Sequence, residues 1–191
     1  MKRTTMAVGS FEVNCSILER DDGVWIVDPG AEAERIVAAI ERTGAAPKAI
    51  LLTHAHFDHI GAVPALQRKY PSLPVYLAPA DFPVVTHPMN QYPPDYPAIA
   101  APANLRDCHE LAGVEVIDTP GHTPGGVCYH FADDGLLLSG DTLFAGSYGR
   151  TDLPGGDFDT LMKSLERLSK LPASTLVVPG HGMFTTIERE F

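Results

Sequence analysis

The segment that follows the apolar run 49–52 limits the possible folds of this chain more than any other part of its sequence. The segment packs three histidines and one aspartate into six positions, in the order Thr53-His54-Ala55-His56-Phe57-Asp58-His59. Imidazole and carboxylate groups are the usual ligands of zinc and similar cations, and four of them are rarely grouped for packing alone. The spacing differs from the helical H-E-x-x-H pattern, in which both histidines share one helix face. The sequence therefore predicts a metal site on an extended turn between a buried strand and a helix.

Three further ligand candidates share a second pattern, in which an apolar segment ends in a glycine and the candidate follows. They are His122 after Val-Ile-Asp-Thr-Pro-Gly, Asp141 after Leu-Leu-Leu-Ser-Gly and His181 after Leu-Val-Val-Pro-Gly. A rigid strand that exits through a small residue holds a ligand in a defined direction. Together with the first segment they supply five histidines and two aspartates, which exceeds what one tetrahedral ion uses and fits two metal ions that share a carboxylate. The remaining histidines are expected to be ordinary core or surface residues: His87, His109 and His130.

Charge and composition exclude several classes of protein. The formal net charge is −10, from 14 basic and 24 acidic side chains, and Arg106 is the only basic residue between Lys69 and Arg150. A nucleic-acid partner needs a basic face, so none is expected. No run of 18 apolar residues exists to span a membrane, and the N-terminus is too polar for a signal peptide. The three scattered cysteines do not form a disulfide framework, so a cytoplasmic location is expected.

Predicted strands and helices alternate along one domain of residues 1–191. A hairpin is expected around Asp21-Asp22-Gly23, and nine of the 17 prolines fall in residues 71–102, where we expect one short strand and a long extended loop. The pattern predicts an α/β layered fold. Its predicted strands are 16–19, 24–27, 49–52, 74–78, 114–118, 127–131, 136–138 and 175–178, and its predicted helices are 31–43, 60–69 and 157–169.

With these motifs, the chain resembles the metallo-β-lactamase fold superfamily, and within it the glyoxalase II-like hydrolases. The resemblance extends from Asp28-Pro29-Gly30 to Gly180-His181-Gly182. It implies an αββα four-layer sandwich with the site at the edge of two sheets. It assigns one metal ion to His54, His56 and His122 and a second to Asp58, His59 and His181, with Asp141 bridging both. Zinc is the expected metal, with iron and manganese as alternatives.

The expected reaction follows from this chemistry. Two bound cations keep a bridging hydroxide available at neutral pH and polarise a carbonyl group. Asp58 is the catalytic candidate, since it can bind metal and orient that hydroxide. A thioester suits such a site because its thiolate leaves without a strong general acid, and the resemblance implies S-D-lactoylglutathione or a similar small glutathione thioester. The sequence leaves the oligomeric state open.

Three competing functions are compatible with the same motifs. The stretch Gly-Arg-Thr-Asp-Leu-Pro-Gly-Gly at 149–156 resembles the short bacterial glyoxalase II-like hydroxyacylglutathione hydrolases. A similar Gly-Arg-Thr-Asp stretch occurs in persulfide dioxygenases, which share the fold and use one iron ion and oxygen. A secreted β-lactamase and a non-catalytic metal-binding protein are the remaining two.

Two residues are candidates for substrate binding. Arg150 follows Asp141 by nine positions and could pair with a substrate carboxylate, although a surface or loop-supporting role is equally expected. Tyr148 is a weaker candidate, with packing in the loop as the alternative. The aromatic, proline-rich loop 82–97 is expected either to cover the pocket or to be a crossing or dimer-contact segment. Asp28 is expected to shape a turn or to support a ligand.

Overall fold

The computed structural model describes residues 1–191, and its first half builds a six-stranded mixed sheet. The strands are Lys2–Val8 (β1), Val13–Arg20 (β2), Gly23–Val27 (β3), Pro47–Leu51 (β4), Val75–Leu77 (β5) and Leu105–Asp107 (β6). They lie in sequence order. The first three strands pair antiparallel, as the predicted hairpin between β2 and β3 requires, and β3 to β6 are parallel.

The second half builds a five-stranded sheet and a small hairpin. In chain order its strands are Glu115–Asp118 (β7), Val127–Phe131 (β8), Leu136–Gly140 (β9), Leu143–Phe144 (β10), Ser147–Tyr148 (β11), Leu176–Pro179 (β12) and Thr185–Thr186 (β13). The sheet order is β13-β12-β9-β8-β7, and β10 pairs only with β11. Within this sheet β9 and β12 are parallel neighbours. Their carboxyl ends therefore lie side by side at one edge.

Helices cover the outer faces of both sheets. They are Ala33–Thr43 (α1), Phe57–Ile60 (α2), Val63–Lys69 (α3), Phe82–Val85 (α4), Phe158–Leu168 (α5) and Ile187–Glu190 (α6). Gly44 ends α1 in a left-handed conformation, in which its N–H donates to the Glu41 carbonyl. Asp157 begins α5, and its side chain accepts a hydrogen bond from the Thr160 N–H. No helix is both long enough and apolar enough to span a lipid bilayer.

The alternation of side chains along the strands produces the four layers. In β3, Val24 and Ile26 pack toward α1 and α3, whereas Trp25 and Val27 pack toward the second sheet. On the far side, Leu137 in β9 joins the core that α5 covers. The central strands of the first sheet are buried on both faces, which explains their continuous apolar sequence. The predicted αββα four-layer sandwich is confirmed.

The element boundaries agree with the predictions in part. Strand 127–131 has the predicted bounds, and α1 and α5 lie within the predicted helices 31–43 and 157–169. The helix expected at 60–69 is wrong in part: α3 ends at Lys69 as predicted but begins only at Val63, because α2 ends at Ile60 and Pro64 lies in the first turn of α3, where its missing N–H costs nothing. The extended loop expected after residue 78 is also wrong in part, since it contains a 3-10 turn at Pro79–Asp81 and the helix α4.

Several short elements were not predicted. These are the edge strands β6 and β13, the hairpin of β10 and β11, and the helix α6, none of which exceeds four residues. Such short segments show no hydrophobic period that a sequence can reveal. The strands among them form because neighbouring strands offer free backbone groups.

Candidate metal centre

The histidine-rich turn begins where β4 ends, and Asp28 fixes its first residue. The Thr53 N–H donates to Asp28 Oδ1 at 2.8 Å, and the Thr53 hydroxyl donates to Asp28 Oδ2 at 2.7 Å. Asp28 itself directly follows β3 with a positive φ of 49°, a conformation that aspartate tolerates better than most residues. The ends of two parallel strands are thus tied together, and the segment that follows is held at the sheet edge.

The other ligand candidates come from the carboxyl ends of strands in the second sheet. His122 follows β7, Asp141 follows β9 and His181 follows β12. Gly180 must be a glycine, because a Cβ there would lie 2.1 Å from Asp141 Oδ1 and 2.7 Å from His59 Cε1. At this position the predicted strand–glycine–ligand pattern has a steric cause, since the backbone passes directly beside the cluster.

Two groups of three ligand candidates lie at this edge. The first, which we call the histidine triad, consists of His54, His56 and His122. The second, which we call the mixed triad, consists of Asp58, His59 and His181. Within each triad one ligand atom per residue lies within 4.8 Å of the others. A further group of the same kind, formed by His54, His59 and Asp141, links the two triads, and the assignment of each triad to its own cation stays a prediction.

Asp141 lies between the two triads. Its Oδ1 is 3.2 Å from His59 Nε2, and its Oδ2 is 3.5 Å from His181 Nε2 and 3.6 Å from His122 Nε2. One carboxylate thus approaches ligand atoms of both groups. This is the position that a bridging ligand between two cations requires.

The ring orientations of the histidines suit metal binding. Four of the five have Nδ1 beside an oxygen atom, which leaves Nε2 directed toward the cluster. Anchoring one ring nitrogen in this way fixes the tautomer in which the other is a free ligand. The histidine–oxygen pairs are His54 with the Thr53 hydroxyl at 3.1 Å, His59 with Asp28 at 3.0 Å, His122 with the Arg150 carbonyl at 2.7 Å and His181 with the Phe11 carbonyl at 2.8 Å.

Unpartnered buried atoms show that the cluster fits cations. His54 Nε2 is buried and forms no hydrogen bond, and the buried atoms His59 Nε2 and Asp141 Oδ1 lie 3.2 Å apart without the geometry of a hydrogen bond. Each such atom costs about 1–3 kcal/mol when it is left unsatisfied. A cation bound within each triad would give all three atoms a partner. The donor set of imidazole and carboxylate groups indicates divalent metal ions.

The two triads differ in charge. Burial and the neighbouring histidines lower the pKa of His54, and burial and His122 lower the pKa of His56 to about 4. Burial acts against the charge of His181 too, but hydrogen bonds to Asp141 and Asp58 raise its pKa to about 9. Asp141 and Asp28 likewise raise the pKa of His59, against the effect of burial. His54 and His56 are therefore neutral at pH 7, whereas His59 and His181 retain protons that a cation would displace.

The carboxylates of the cluster are ionised at neutral pH. Burial disfavours the charge on Asp141, but His59, His181 and His54 outweigh it and hold its pKa well below the usual value. Burial opposes ionisation of Asp58 too, and His181 and His59 lower its pKa overall. Both residues are therefore available as anionic ligands.

The two predicted substrate residues lie close to the centre in sequence but are exposed. The Arg150 side chain is 61% exposed and forms two hydrogen bonds of 2.7 Å with Asp152. Its backbone carbonyl, in contrast, accepts the hydrogen bond from His122. Tyr148 is exposed, and its ring centroid lies 6.1 Å from that of Phe158. The observed side-chain contacts of both residues are thus with neighbours outside the two triads.

Part of the proline-rich loop packs beside the centre. Tyr92 stacks on Phe57 with ring centroids 5.9 Å apart, and Tyr96 contacts Phe57 at 5.0 Å. Phe11, whose carbonyl holds His181, completes the cluster with edge contacts to these rings. The loop therefore flanks the turn between His56 and Asp58 with an aromatic wall.

Sequence reasoning missed two buried polar residues of this region, Asp81 and Asn90. Asp81 accepts hydrogen bonds from the Ala55 N–H, the Thr123 hydroxyl and the Gly125 N–H. Asn90 donates to the Ala55 carbonyl. No pattern in the sequence marks either residue, because these partners are 26 to 44 positions away.

The three histidines expected to be ordinary residues lie outside the two triads. His109 lies between Asp107 and Asp118, at 2.6 and 2.9 Å, and His130 lies 2.7 Å from Glu115. Asp107, Cys108 and His109 form a further group of metal-ligand type near the surface. The ion pairs of His109 with Asp107 and Asp118, and the side-chain cap that Asp107 provides for a 3-10 turn, explain why this group lies together.

The cysteines offer no nucleophile. All three are buried with free thiols, and burial is the main factor that raises the pKa of Cys128 to about 11 and that of Cys108 to about 12. A thiol with so high a pKa is almost entirely protonated at neutral pH and unreactive.

Comparison with known proteins agrees with this architecture. Residues 8–181 match the metallo-beta-lactamase superfamily, so the chain belongs to that superfamily. It is 40% identical over 201 residues to "Probable metallo-hydrolase YqgX" of Bacillus subtilis, covering all of this chain and 94% of that protein. It is 32% identical to "Hydroxyacylglutathione hydrolase GloC" of Haemophilus influenzae, covering 96% of this chain and 92% of the relative. The chain is a metallo-hydrolase of this superfamily.

Solved structures agree as well. The BLEG-1 B3 metallo-beta-lactamase superposes with a TM-score of 0.89 at 37% identity, covering 98% of this chain and 95% of that one. TTHA1623, solved in a di-iron-bound form, superposes with a TM-score of 0.84 at 41% identity, covering 97% and 96%. The predicted superfamily is confirmed.

Proposed function

We propose that this protein is a thioester hydrolase that uses two divalent cations, with zinc as the expected metal. One cation would bind the histidine triad and the other the mixed triad. The observation that carries this proposal is the position of Asp141, whose two oxygens approach histidines of both triads at 3.2 to 3.6 Å. A single cation would leave one group of imidazoles without a partner.

The proposed chemistry divides between the metal and the chain. When bound, the two cations supply a hydroxide at neutral pH and polarise the substrate carbonyl. Asp58 remains ionised and lies beside His181, with 3.4 Å between Oδ2 and Nε2, so its carboxylate can accept a hydrogen bond from the attacking hydroxide and orient it. The rings of Phe11, Phe57 and Tyr92 pack against one another beside the ligand turn.

The leaving group favours a thioester. A thiolate leaves without prior protonation, whereas an amine needs a proton donor. The carboxylates nearest the site, Asp58 and Asp141, are both held ionised and cannot serve as acids at neutral pH. The similarity to GloC supports a hydroxyacylglutathione as the substrate, with S-D-lactoylglutathione as the first compound to test.

The decisive assay measures loss of the thioester bond of S-D-lactoylglutathione with zinc-reconstituted protein. We expect hydrolysis that is lost in Asp58→Ala and retained in Asp133→Ala, which removes an exposed aspartate from the turn before β9, at the opposite end of that strand from Asp141. The same samples are tested for zinc content, so that loss of metal is separated from loss of catalysis. Absence of hydrolysis by the zinc-loaded wild-type protein would overturn the proposal.

A second candidate is hydrolysis of a β-lactam, which the 37% identity to the BLEG-1 lactamase favours. The same centre would attack an amide, and the amine leaving group would then need a proton from water. A chromogenic cephalosporin, assayed beside the thioester, compares the two reactions directly. Oxygen uptake by iron-loaded protein with glutathione persulfide, without thioester hydrolysis, would instead identify a persulfide dioxygenase.

A further inference from the structure

Both polar groups of one residue's backbone in the ligand turn are held by buried side chains. Ala55 lies between His54 and His56 of the histidine triad. Its N–H donates to Asp81 Oδ2 at 3.0 Å, and its carbonyl accepts from Asn90 Nδ2 at 2.6 Å. Asp81 is 0% exposed and Asn90 is 2% exposed. The orientation of this backbone, and with it the direction of the two neighbouring ligands, is therefore fixed from the proline-rich region.

Asp81 also holds the loop that carries the third ligand of the triad. The Thr123 hydroxyl donates to Asp81 Oδ2 at 2.9 Å, and the Gly125 N–H donates to Asp81 Oδ1 at 2.6 Å. Both residues lie within three positions after His122. A Cβ at position 125 would lie 2.6 Å from the Asp81 backbone nitrogen, so glycine is required for this close approach. One carboxylate thus joins the two loops that supply all three residues of the histidine triad.

The mixed triad has a different support. Its His59 is held by Asp28, and its His181 is held by the Phe11 carbonyl. The three hydrogen bonds that Asp81 accepts come from Ala55, which lies between His54 and His56, and from Thr123 and Gly125, which closely follow His122. The Asp81 contacts therefore lie nearest the histidine triad and the Asp28 contact with His59 lies in the mixed triad, although both aspartates hold the same turn and Asp28 also reaches His54 through the Thr53 hydroxyl.

We propose that Asp81 is a positioning residue that sets the metal affinity of the histidine triad, with Asn90 fixing the same backbone from its other side. This inference rests on the two metal positions of the proposed function, but not on the identity of the substrate. It assigns a role to the proline-rich region 71–102, which presents both residues behind the ligand turn. Residues that orient metal ligands typically change metal affinity about 10- to 100-fold when they are replaced.

The substitution Asp81→Asn removes this support with little change of volume. The amide has one acceptor oxygen and one NH2 group, so it cannot accept hydrogen bonds on both sides. If the NH2 group takes the place of Oδ2, it faces the Ala55 N–H and the Thr123 hydroxyl. If it takes the place of Oδ1, it faces the Gly125 N–H. At least one ligand loop must move, and the three imidazoles would no longer converge on one point.

The test measures zinc affinity in two backgrounds, each of which weakens one metal position. In His181→Ala the histidine triad is the intact position, and in His56→Ala the mixed triad is the intact position. Zinc binding is measured by competition with a chromophoric chelator, and circular dichroism of the metal-free proteins checks the fold. We expect Asp81→Asn to weaken zinc binding about 10- to 100-fold in the His181→Ala background and to leave it unchanged in the His56→Ala background.

Two further variants make the test specific. Asp133→Asn makes the same chemical change at an exposed aspartate in the turn before β9, which belongs to no group of metal-ligand type, and it should leave zinc affinity unchanged in both backgrounds. Thr123→Val removes only the hydroxyl that bonds to Asp81 and should cause a smaller loss in the same direction. It serves as the test if Asp81→Asn fails to fold.

The outcomes are distinguishable. Equal losses in both backgrounds, or no loss in either, would overturn the role of Asp81. Failure of the wild-type protein to bind two zinc ions per chain would refute the two-metal proposal itself. Normal zinc binding without thioester hydrolysis would refute the proposed reaction and leave the role of Asp81 intact.

Discussion

The two halves of the metal centre are built from similar side chains but in opposite electrostatic states. The histidine triad is held by the Thr53 hydroxyl, the Arg150 carbonyl and Asp81, and the pKa values of its His54 and His56 are lowered. The mixed triad contains a carboxylate, and the pKa values of its histidines are raised. The difference shows that the surroundings of an imidazole, more than its presence in a cluster, decide whether it is a free ligand or a protonated one.

Replacing the residue common to both halves should have the largest effect. In Asp141→Ala we expect zinc content to fall below one ion per chain and kcat/KM to fall by about 10³-fold or more, because the carboxylate contacts histidines of both triads. Metal analysis and thioester kinetics on the same preparation measure both effects. An unchanged zinc content would refute the assignment of Asp141 as a ligand.

The pH dependence of stability should separate the two halves in the metal-free protein. The pKa of His181 is about 9 in the folded state, above the usual 6.5, so its stabilising effect is complete below pH 6.5 and is lost as the pH rises to 9. The pKa of His56 is about 4 in the folded state, so between pH 6.5 and 4 the unfolded chain binds a proton at His56 that the folded chain does not bind. The free energy of unfolding therefore decreases as the pH falls through this range. We therefore expect the Tm to be highest near pH 6.5 and to fall by roughly 5 °C toward pH 9.

Thermal melts with and without zinc check this expectation. In the zinc-loaded protein the cation replaces the protons of the mixed triad, so the fall between pH 6.5 and 9 should disappear. His181→Gln should reduce the same fall in the metal-free protein. A Tm of the metal-free protein that stays constant or rises over this pH range would contradict the charge difference between the triads.

The smallest expected effect concerns Arg150, whose backbone serves the histidine triad while its side chain faces solvent. The Arg150→Ala variant keeps the carbonyl that holds His122, so zinc content should not change. If the guanidinium binds a substrate carboxylate, KM should rise several-fold with little change in kcat. Steady-state kinetics with Asp152→Ala, which frees the guanidinium from its partner, provide the matched comparison. An unaltered KM in Arg150→Ala would remove this residue from the substrate site.

Much of the fold was predictable from local patterns. Apolar runs such as 127–131 indicate strands, and the amphipathic period of 157–169 indicates a helix, because burial acts on the residues of one segment. The split between α2 and α3 was not predicted, although Pro64 signals a helix start. The shortest strands were not predictable, since they form only where a partner strand is present.

The sequence by itself determined which residues are the ligand candidates. Seven residues of the right chemistry follow strands, three of them directly after a glycine, and each of these features is local to the chain. The tertiary structure alone decided how the ligands meet. The Asn14 N–H bonds to the Gly180 carbonyl, and the Val127 N–H bonds to the Thr53 carbonyl, so the two sheets are joined at the edge where the ligands emerge.

The supports of those ligands belong to the tertiary structure as well. Asp81, Asn90 and the Arg150 carbonyl reach the histidine triad from positions remote in sequence. Local periodicity and motif spacing do not encode such contacts, and a backbone carbonyl has no residue type by which to recognise it. Ligand chemistry is a property of individual side chains, whereas ligand orientation depends on the packing of distant segments, and for that reason only the folded chain reveals it.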